Sequence, residues 1–246
     1  RHLPAILDGE IWVQGFSEPE AGSDLASLRT TGRRDGDSYV VNGQKLWASG
    51  GAHADWCLVL ARTDPEAKRH KGISAFIVAM DQPGVIQRPL EMINGITTEF
   101  GQVAFENATV PAANMVGEPG DGWALAMTVV GHEREPSTLG YAARYGKLVR
   151  QMAARCEGSV PEDLAWAAVQ TEMLTHHVRR RLSEQLDGIT HNSNGSIDKL
   201  LMTWVDQSVG HAALAVTGTA DTELFNSYLY SRAQSVMGGT SQIQKN

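Results

Sequence analysis

The apolar residues of this chain change their period once, at the loop VGEPGDGW (116–123), and that change constrains the fold more than any other feature. Before the loop, short apolar or alternating runs are punctuated by Gly, Pro and Asp, the mark of strands joined by turns. DWCLVLART, GISAFIVAM, GVIQRPL and GQVAFENATVP are such runs. DSYVVNGQKLWAS adds Asn42-Gly43 between two alternating stretches, which predicts a hairpin turn there. Strands in series with no helix between them predict an antiparallel β-barrel or sandwich over residues 11–118, and a barrel is the expectation carried forward.

Beyond the loop the spacing is helical. DGWALAMTVVGHEREPSTLGYAARYGKLVRQMAARCE carries apolar residues at helical intervals, with Pro136 as an expected break. The next helix is marked at both ends, by Pro161 with Glu162 and Asp163 at its start and by Gly188 at its stop. GSIDKLLMTWVDQSVGHAALAVTG and TADTELFNSYLYSRAQSVMG read as two further helices. Long helices with short loops predict an up-and-down bundle over 119–246. The expected class is therefore α+β in a multi-domain chain. RHLPAILDGE (1–10) reads as the last turn of a preceding helical domain and SQIQKN as a helix just begun, so both ends read as cut.

Composition removes several classes. At 246 residues the chain is long enough for a full core, and its formal net charge is -7. An acidic chain without a basic stripe argues against nucleic acid as the main partner; the HHVRRRL cluster reads as one solvated helix face. No apolar run reaches the length of a membrane span. Cys57 and Cys156 lie far apart, Cys57 within an apolar strand, so neither a disulfide framework nor a metal site is expected.

Three stretches carry chemistry. WVQGFSEPEAGSDLASL is a loop in which Gly15 and Gly22 permit close backbone approach and Ser17 and Ser23 offer hydroxyls. Its bland reading is a turn satisfied by its own Ser and Asp side chains. In GQKLWASGG, Trp47 is either core or a flat wall for an aromatic ligand, with Ser49 on the same strand face. The closing MGGTSQ is either a simple cap by Thr240 or Ser241, or an anion seat made of glycines and a helix N-terminus.

GFSEPEAGSDLASL, VVNGQKLWASGGAHADW, GDGWALAMTVVGHER and MGGTSQIQKN occur in that order, and together they resemble the acyl-CoA dehydrogenase family over nearly the whole chain. The resemblance implies a middle β domain and a C-terminal helical domain, with the N-terminal helical domain preceding Arg1. It implies FAD as cofactor. Phe16 and Ser17 would line the flavin ring, Trp47 and Ala48 would flank it, and Ser49 would hydrogen-bond near its reactive nitrogen. Thr240 and Gln242 would meet the diphosphate and adenosine side, and Ser23 the pantetheine arm of a thioester. The implied reaction is α,β-dehydrogenation of an acyl-CoA.

That reaction needs a base. Many members of the family place a glutamate just before the Gly-Thr of the final turn, where this chain has Gly238. A subset places it on the first long C-terminal helix before an Arg, which corresponds here to Glu133, with Arg134 orienting substrate and Glu135 the nearby competitor. Two departures stand out: RYGKLVRQM does not reproduce the family's Arg-x-x-Phe-Gly-like segment, and the Gly-rich segment near AVTGTADTE is indistinct. This pattern resembles actinobacterial-type members that act on bulky or polycyclic acyl chains, some of which pair a catalytic subunit with a silent one. The expected partners are acyl-CoA, an electron-transfer flavoprotein as electron acceptor, and further subunits in a homo- or hetero-oligomeric dimer or tetramer. The expected location is the bacterial cytoplasm. Two other readings share the fold: a non-catalytic partner subunit, and a flavin oxidase or monooxygenase.

Overall fold

The structure of the protein, a computed structural model, describes residues 2–134, 137–189 and 194–246, without the side chains at 133, 134, 137, 138 and 194. The chain forms two compact units, Arg1–Thr128 and Val129–Asn246.

The first unit opens with a short helix, α1 (Leu3–Leu7), with Pro4 in its first turn. Eight strands follow: β1 (Trp12–Gly15), β2 (Thr31–Asp35), β3 (Ser38–Ser49), β4 (Trp56–Arg62), β5 (Ile73–Ala79), β6 (Val85–Pro89), β7 (Phe100–Pro111) and β8 (Met115–Val116). They make one sheet in the order β6-β7-β3-β2-β4-β5-β8, with β1 alongside β4. β3 and β7 largely alternate buried with less buried residues, while β4 and β5 bury consecutive residues; Tyr39, Val41, Val59, Phe76, Val103 and Phe105 belong to one buried cluster. Burying each such side chain contributes about 1.5–3 kcal/mol.

Two sequence expectations need correcting. The sheet is not closed into a barrel: among the described residues its ladders end at β6 and β8. β6 stops at Pro89, which has no N–H to extend a ladder, and β8 spans two residues only. Nor is the sheet purely antiparallel. β1 runs parallel to β4, Trp12 opposite Trp56 and Gly15 opposite Val59, and β2 meets β4 in parallel at Thr31 and Arg62. Residues 16–55 separate β1 from β4 and residues 36–55 separate β2 from β4, the long connections that parallel pairing requires.

The second correction concerns Asn42-Gly43. The hairpin turn of this region lies at Gly36-Asp37, between β2 and β3, with Gly36 at φ +59°. Asn42 and Gly43 lie inside β3, where Val41 pairs with Ala108 but Gly43 pairs with Phe105. The extra residue is on β7. Asn107 takes φ +56°, and its amide and side chain exchange hydrogen bonds with the Asn42 side chain, at 2.8 and 3.1 Å. Asn-Gly thus faces a β-bulge: Asn42 bonds the bulged Asn107, and Gly43 leaves room for Thr30, whose Oγ1 a Cβ there would strike.

A helix, α2 (Gly122–Arg134), continues from the first unit into the second. Its start is tight: a Cβ on Gly122 would lie 2.6 Å from the Ser74 backbone. The second unit holds α3 (Ser137–Ala153), α4 (Glu162–Leu186), α5 (Asn194–Thr217), α6 (Thr222–Ser231) and α7 (Ser241–Gln244). α3 packs on α4 and α5, α4 on α5, and α5 on α6. Pro161 is the N-cap of α4, and Gly188 follows its end at φ +71°. Asp221 caps α6 by accepting from the Leu224 amide, and an Arg155 ion pair holds it there at 2.5 Å. Tyr145, Met152, Leu164, Leu174 and Val209 are part of the buried core of this unit. The break expected at Pro136 lies outside the described residues. Among the described residues no helix is long and apolar enough to cross a membrane.

Candidate functional site

The candidate residues fall into two groups, one in each unit. In the first unit, the end of β1 and the last third of β3 lie side by side. Lys45 pairs with Val103 and Ala48 with Gly101, so β3 has one residue too many at this point. The bulge shifts the inward parity from Lys45 to Ala48, both buried, and turns Trp47 and Ser49 outward. Trp47 adopts φ +61°, a left-handed conformation that costs a bulky residue about 1–2 kcal/mol. Its indole is 58 % exposed and touches Phe100 edge-on at 6.3 Å. Backbone strain concentrates where function demands it, and this outlier carries an exposed aromatic face.

The Phe16–Glu18 segment is tied to that bulge. The Leu46 amide donates to the Ser17 carbonyl at 2.9 Å. The Lys45 ammonium, 0 % exposed, donates to the Phe16 carbonyl at 3.1 Å and to Glu18 Oε1 at 2.8 Å. Glu18 also accepts from the Arg29 and Thr30 amides at 2.6 and 2.9 Å. Burial raises the Glu18 carboxyl, but Lys45 and the bonds donated by Lys45, Thr30 and Arg29 outweigh it and leave it below the ordinary carboxylate value. Gly15 serves this packing: a Cβ there would sit 2.6 Å from Cys57 Sγ and 3.4 Å from the Lys45 stem. Burial raises the Cys57 thiol to about 12, so it stays protonated. Ser23 is exposed, in the loop after the Glu18–Ala21 bridge.

In the second unit, Gly238 and Gly239 take φ +63° and +91° and lead to Thr240. Thr240 is the N-cap of α7: its hydroxyl accepts from the Ile243 amide at 3.1 Å. Gln242 is exposed. Because α7 has four residues, it supplies little of the macrodipole expected of a helix opening there. The turn is propped from beneath. Gln244 Nε2 donates to the Gly238 and Gly239 carbonyls at 3.1 and 3.4 Å. Buried Lys199 of α5 donates to the Thr203 hydroxyl at 3.0 Å and to the Gln234 carbonyl. The backbone of Glu133 and Arg134 closes α2; their side chains, and Glu135 altogether, lie outside the described residues.

The structure thus brings Phe16, Ser17, Trp47, Ala48 and Ser49 together, and Thr240 with Gln242. An exposed flat indole, an exposed hydroxyl on the same strand face and a fixed main-chain segment suit a flat conjugated ligand with polar edges. A turn of two left-handed glycines suits close approach of a bulky anion. Taken each by itself, the first group fits the flavin ring of FAD and the second fits a diphosphate. Among the described residues no cluster of His, Cys, Asp and Glu is arranged to hold a metal. Lys45, Glu18, Lys199 and Gln244 escape the sequence reading. Lys45 was detectable, since period two from Tyr39 and Val41 points it inward, and an inward lysine demands a carboxylate.

Residues 14–108 match the acyl-CoA dehydrogenase middle domain. The chain is 38% identical over 266 residues to acyl-CoA dehydrogenase IpdE1 of Mycobacterium tuberculosis, covering 100% of this chain and 67% of that protein. Among solved structures, the Tcur3481-Tcur3483 steroid ACAD is similar with TM-score 0.87 and 27% identity, over 99% of this chain and 68% of that one. The ChsE4-ChsE5 complex from Mycobacterium tuberculosis is similar with TM-score 0.84 and 30% identity, over 99% of this chain and 68% of that one. With a curated relative matched over the whole of this chain and a fold shared with these structures, the chain belongs to the acyl-CoA dehydrogenase family of oxidoreductases.

Proposed function

We propose that the protein carries out FAD-dependent α,β-dehydrogenation of an acyl-CoA thioester. The observation that carries this reading is the bulge that holds Trp47 exposed at a left-handed φ with Ser49 beside it. When bound, FAD accepts the hydride that leaves the β-carbon. Glu133 takes the α-proton, and Arg134 orients the thioester. A solvated glutamate, with a pKa of about 4.3, is too weak a base for an α-proton. The carboxylate must therefore work in a desolvated setting, with donors aimed at the thioester oxygen. Trp47 provides the wall for the flavin ring, with Phe16, Ser17 and Ala48 along it, and the Ser49 hydroxyl donates toward the ring edge. Thr240, Gln242 and the Gly238-Gly239 turn hold the diphosphate and adenosine side. Ser23 meets the pantetheine arm. An electron-transfer flavoprotein takes up the electrons.

Gly238 stands where many family members place the base, and a hydrogen cannot abstract a proton; this supports Glu133 as the base. The similarity to a steroid ACAD supports a bulky, polycyclic acyl chain as substrate. Purified protein with bound flavin is mixed anaerobically with a steroid side-chain acyl-CoA and its visible band followed. The parent bleaches, and Glu133→Gln retains FAD but does not bleach. Normal bleaching by Glu133→Gln overturns the base assignment.

A second reading, a subunit that acts only with a different chain, is favoured by the two-protein nature of both similar structures, Tcur3481-Tcur3483 and ChsE4-ChsE5. It predicts no bleaching alone and bleaching after mixing with the partner.

A further inference from the structure

We infer that Lys45 and Glu18 form a positioning pair that builds the flavin-facing main chain before any cofactor arrives. The inference rests on the FAD reading above and assigns a role to two buried residues that lie outside the proposed contacts. A buried ion pair is a poor source of stability, because desolvation consumes most of its attraction. What it supplies is direction. The Lys45 ammonium reaches two acceptors, the Phe16 carbonyl at 3.1 Å and Glu18 Oε1 at 2.8 Å. The same carboxylate accepts from the Arg29 and Thr30 amides. One pair therefore clamps both ends of the Phe16–Thr30 segment to β3, two residues before Trp47.

The peptide geometry then fixes what faces outward. In a trans peptide the C=O and the following N–H point opposite ways. The Phe16 carbonyl is held toward buried Lys45, so the Ser17 N–H is directed away from it. The next carbonyl, that of Ser17, is held by the Leu46 amide at 2.9 Å, and the Glu18 amide donates to the Ala21 carbonyl at 3.1 Å. Successive peptides of the loop are thus set by β3 and by the loop itself. Lys45 thereby keeps the Ser17 amide turned from the buried pair, as a donor for the flavin of the reading above. Gly15 completes the device by leaving room for the Lys45 stem.

Two measurements test this. The double substitution Lys45→Met/Glu18→Gln keeps the shape and removes both charges. It is expected to fold, to bind FAD about tenfold more weakly, the worth of one oriented donor, and to shift the visible bands and midpoint potential of the bound flavin. A folded double variant with parental FAD affinity, spectrum and potential overturns the inference. Hydrogen exchange on the unsubstituted chain supplies the second test, whether or not the variant folds. The Arg29, Thr30 and Leu46 amides are expected to be protected already without FAD. Protection that appears only on adding FAD overturns the inference. A chain that takes up no FAD while these amides are protected overturns the cofactor reading instead, and leaves the pair with a structural role only.

Discussion

Two buried lysines, one in each unit, support segments proposed to contact FAD, and they do so by different chemistry. Lys45 faces a carboxylate, Glu18, itself bonded to two amides. Lys199 donates to the Thr203 hydroxyl and the Gln234 carbonyl, while its neighbour Asp198 is engaged with His177 at 2.6 Å and Arg181 at 3.6 Å. The first arrangement ties a loop to a strand through charge. The second braces the approach to a glycine turn through neutral oxygens. A buried charge needs satisfied partners in either case, but only the carboxylate partner makes the support sensitive to acid.

The largest test of this contrast is to remove each ammonium in turn. Lys45→Met alone leaves Glu18 buried without its counter-charge and is expected to cost about 3–5 kcal/mol. Lys199→Met leaves neutral acceptors short of a donor, a loss of about 1–3 kcal/mol. Urea unfolding of the two variants compares them directly, and equal losses would break the distinction. Glycines sharpen it next. Gly15→Val drives methyl groups into Cys57 Sγ and the Lys45 stem and is expected to cost about 1–3 kcal/mol by overpacking. Gly238→Ala has room, with Lys199 Cε 3.8 Å away, but sits at φ +63°, so its cost of about 1 kcal/mol is conformational. Thermal melts that rank Gly238→Ala as the worse would reverse the assignment of space to one unit and backbone to the other. Thr240→Ala removes the α7 cap for about 1 kcal/mol and should loosen only the final turn, read as faster exchange of the Ile243 amide.

The smallest effects come from pH, and the Glu18 and Asp206 carboxyls should respond with opposite sign. The Glu18 carboxyl lies below its ordinary value when folded, so its stabilisation is present above the unfolded pKa and lost as pH falls through the folded one. Asp206 on α5 is the reverse: burial raises its carboxyl despite Tyr145, Arg144 and Arg232. Its penalty is full above that raised value and is relieved as pH falls through it. On acidification, amides of the Phe16–Thr30 segment should exchange faster while those of α5 around Asp206 do not. Loosening of α5 in parallel would contradict the account of Asp206, and an unchanged Phe16–Thr30 segment would contradict the pairing described for Glu18.

The sequence carried the change of architecture plainly, because period two and period 3.6 put apolar residues on different faces. It misled at Asn42-Gly43, because Gly43 is needed there for the close approach of Thr30, and Asn42 for its bonds to the bulged Asn107, both remote in sequence. The parallel β1–β4 ladder was hidden, since nothing local to WVQG tells which distant strand it joins. At the site, Trp47 and Ser49 were legible through the resemblance, but the bulge that exposes them depends on the β7 register. The packing role of Gly15 was hidden because its neighbours, Cys57 and Lys45, are remote in sequence.

The measurement closest to the central claim is the visible absorption spectrum of the purified chain, before and after anaerobic addition of acyl-CoA. A bound flavin whose oxidised band bleaches on adding the thioester is the predicted result. A chain that binds FAD but keeps its oxidised band in the presence of acyl-CoA, alone and with every partner chain supplied, would contradict the account.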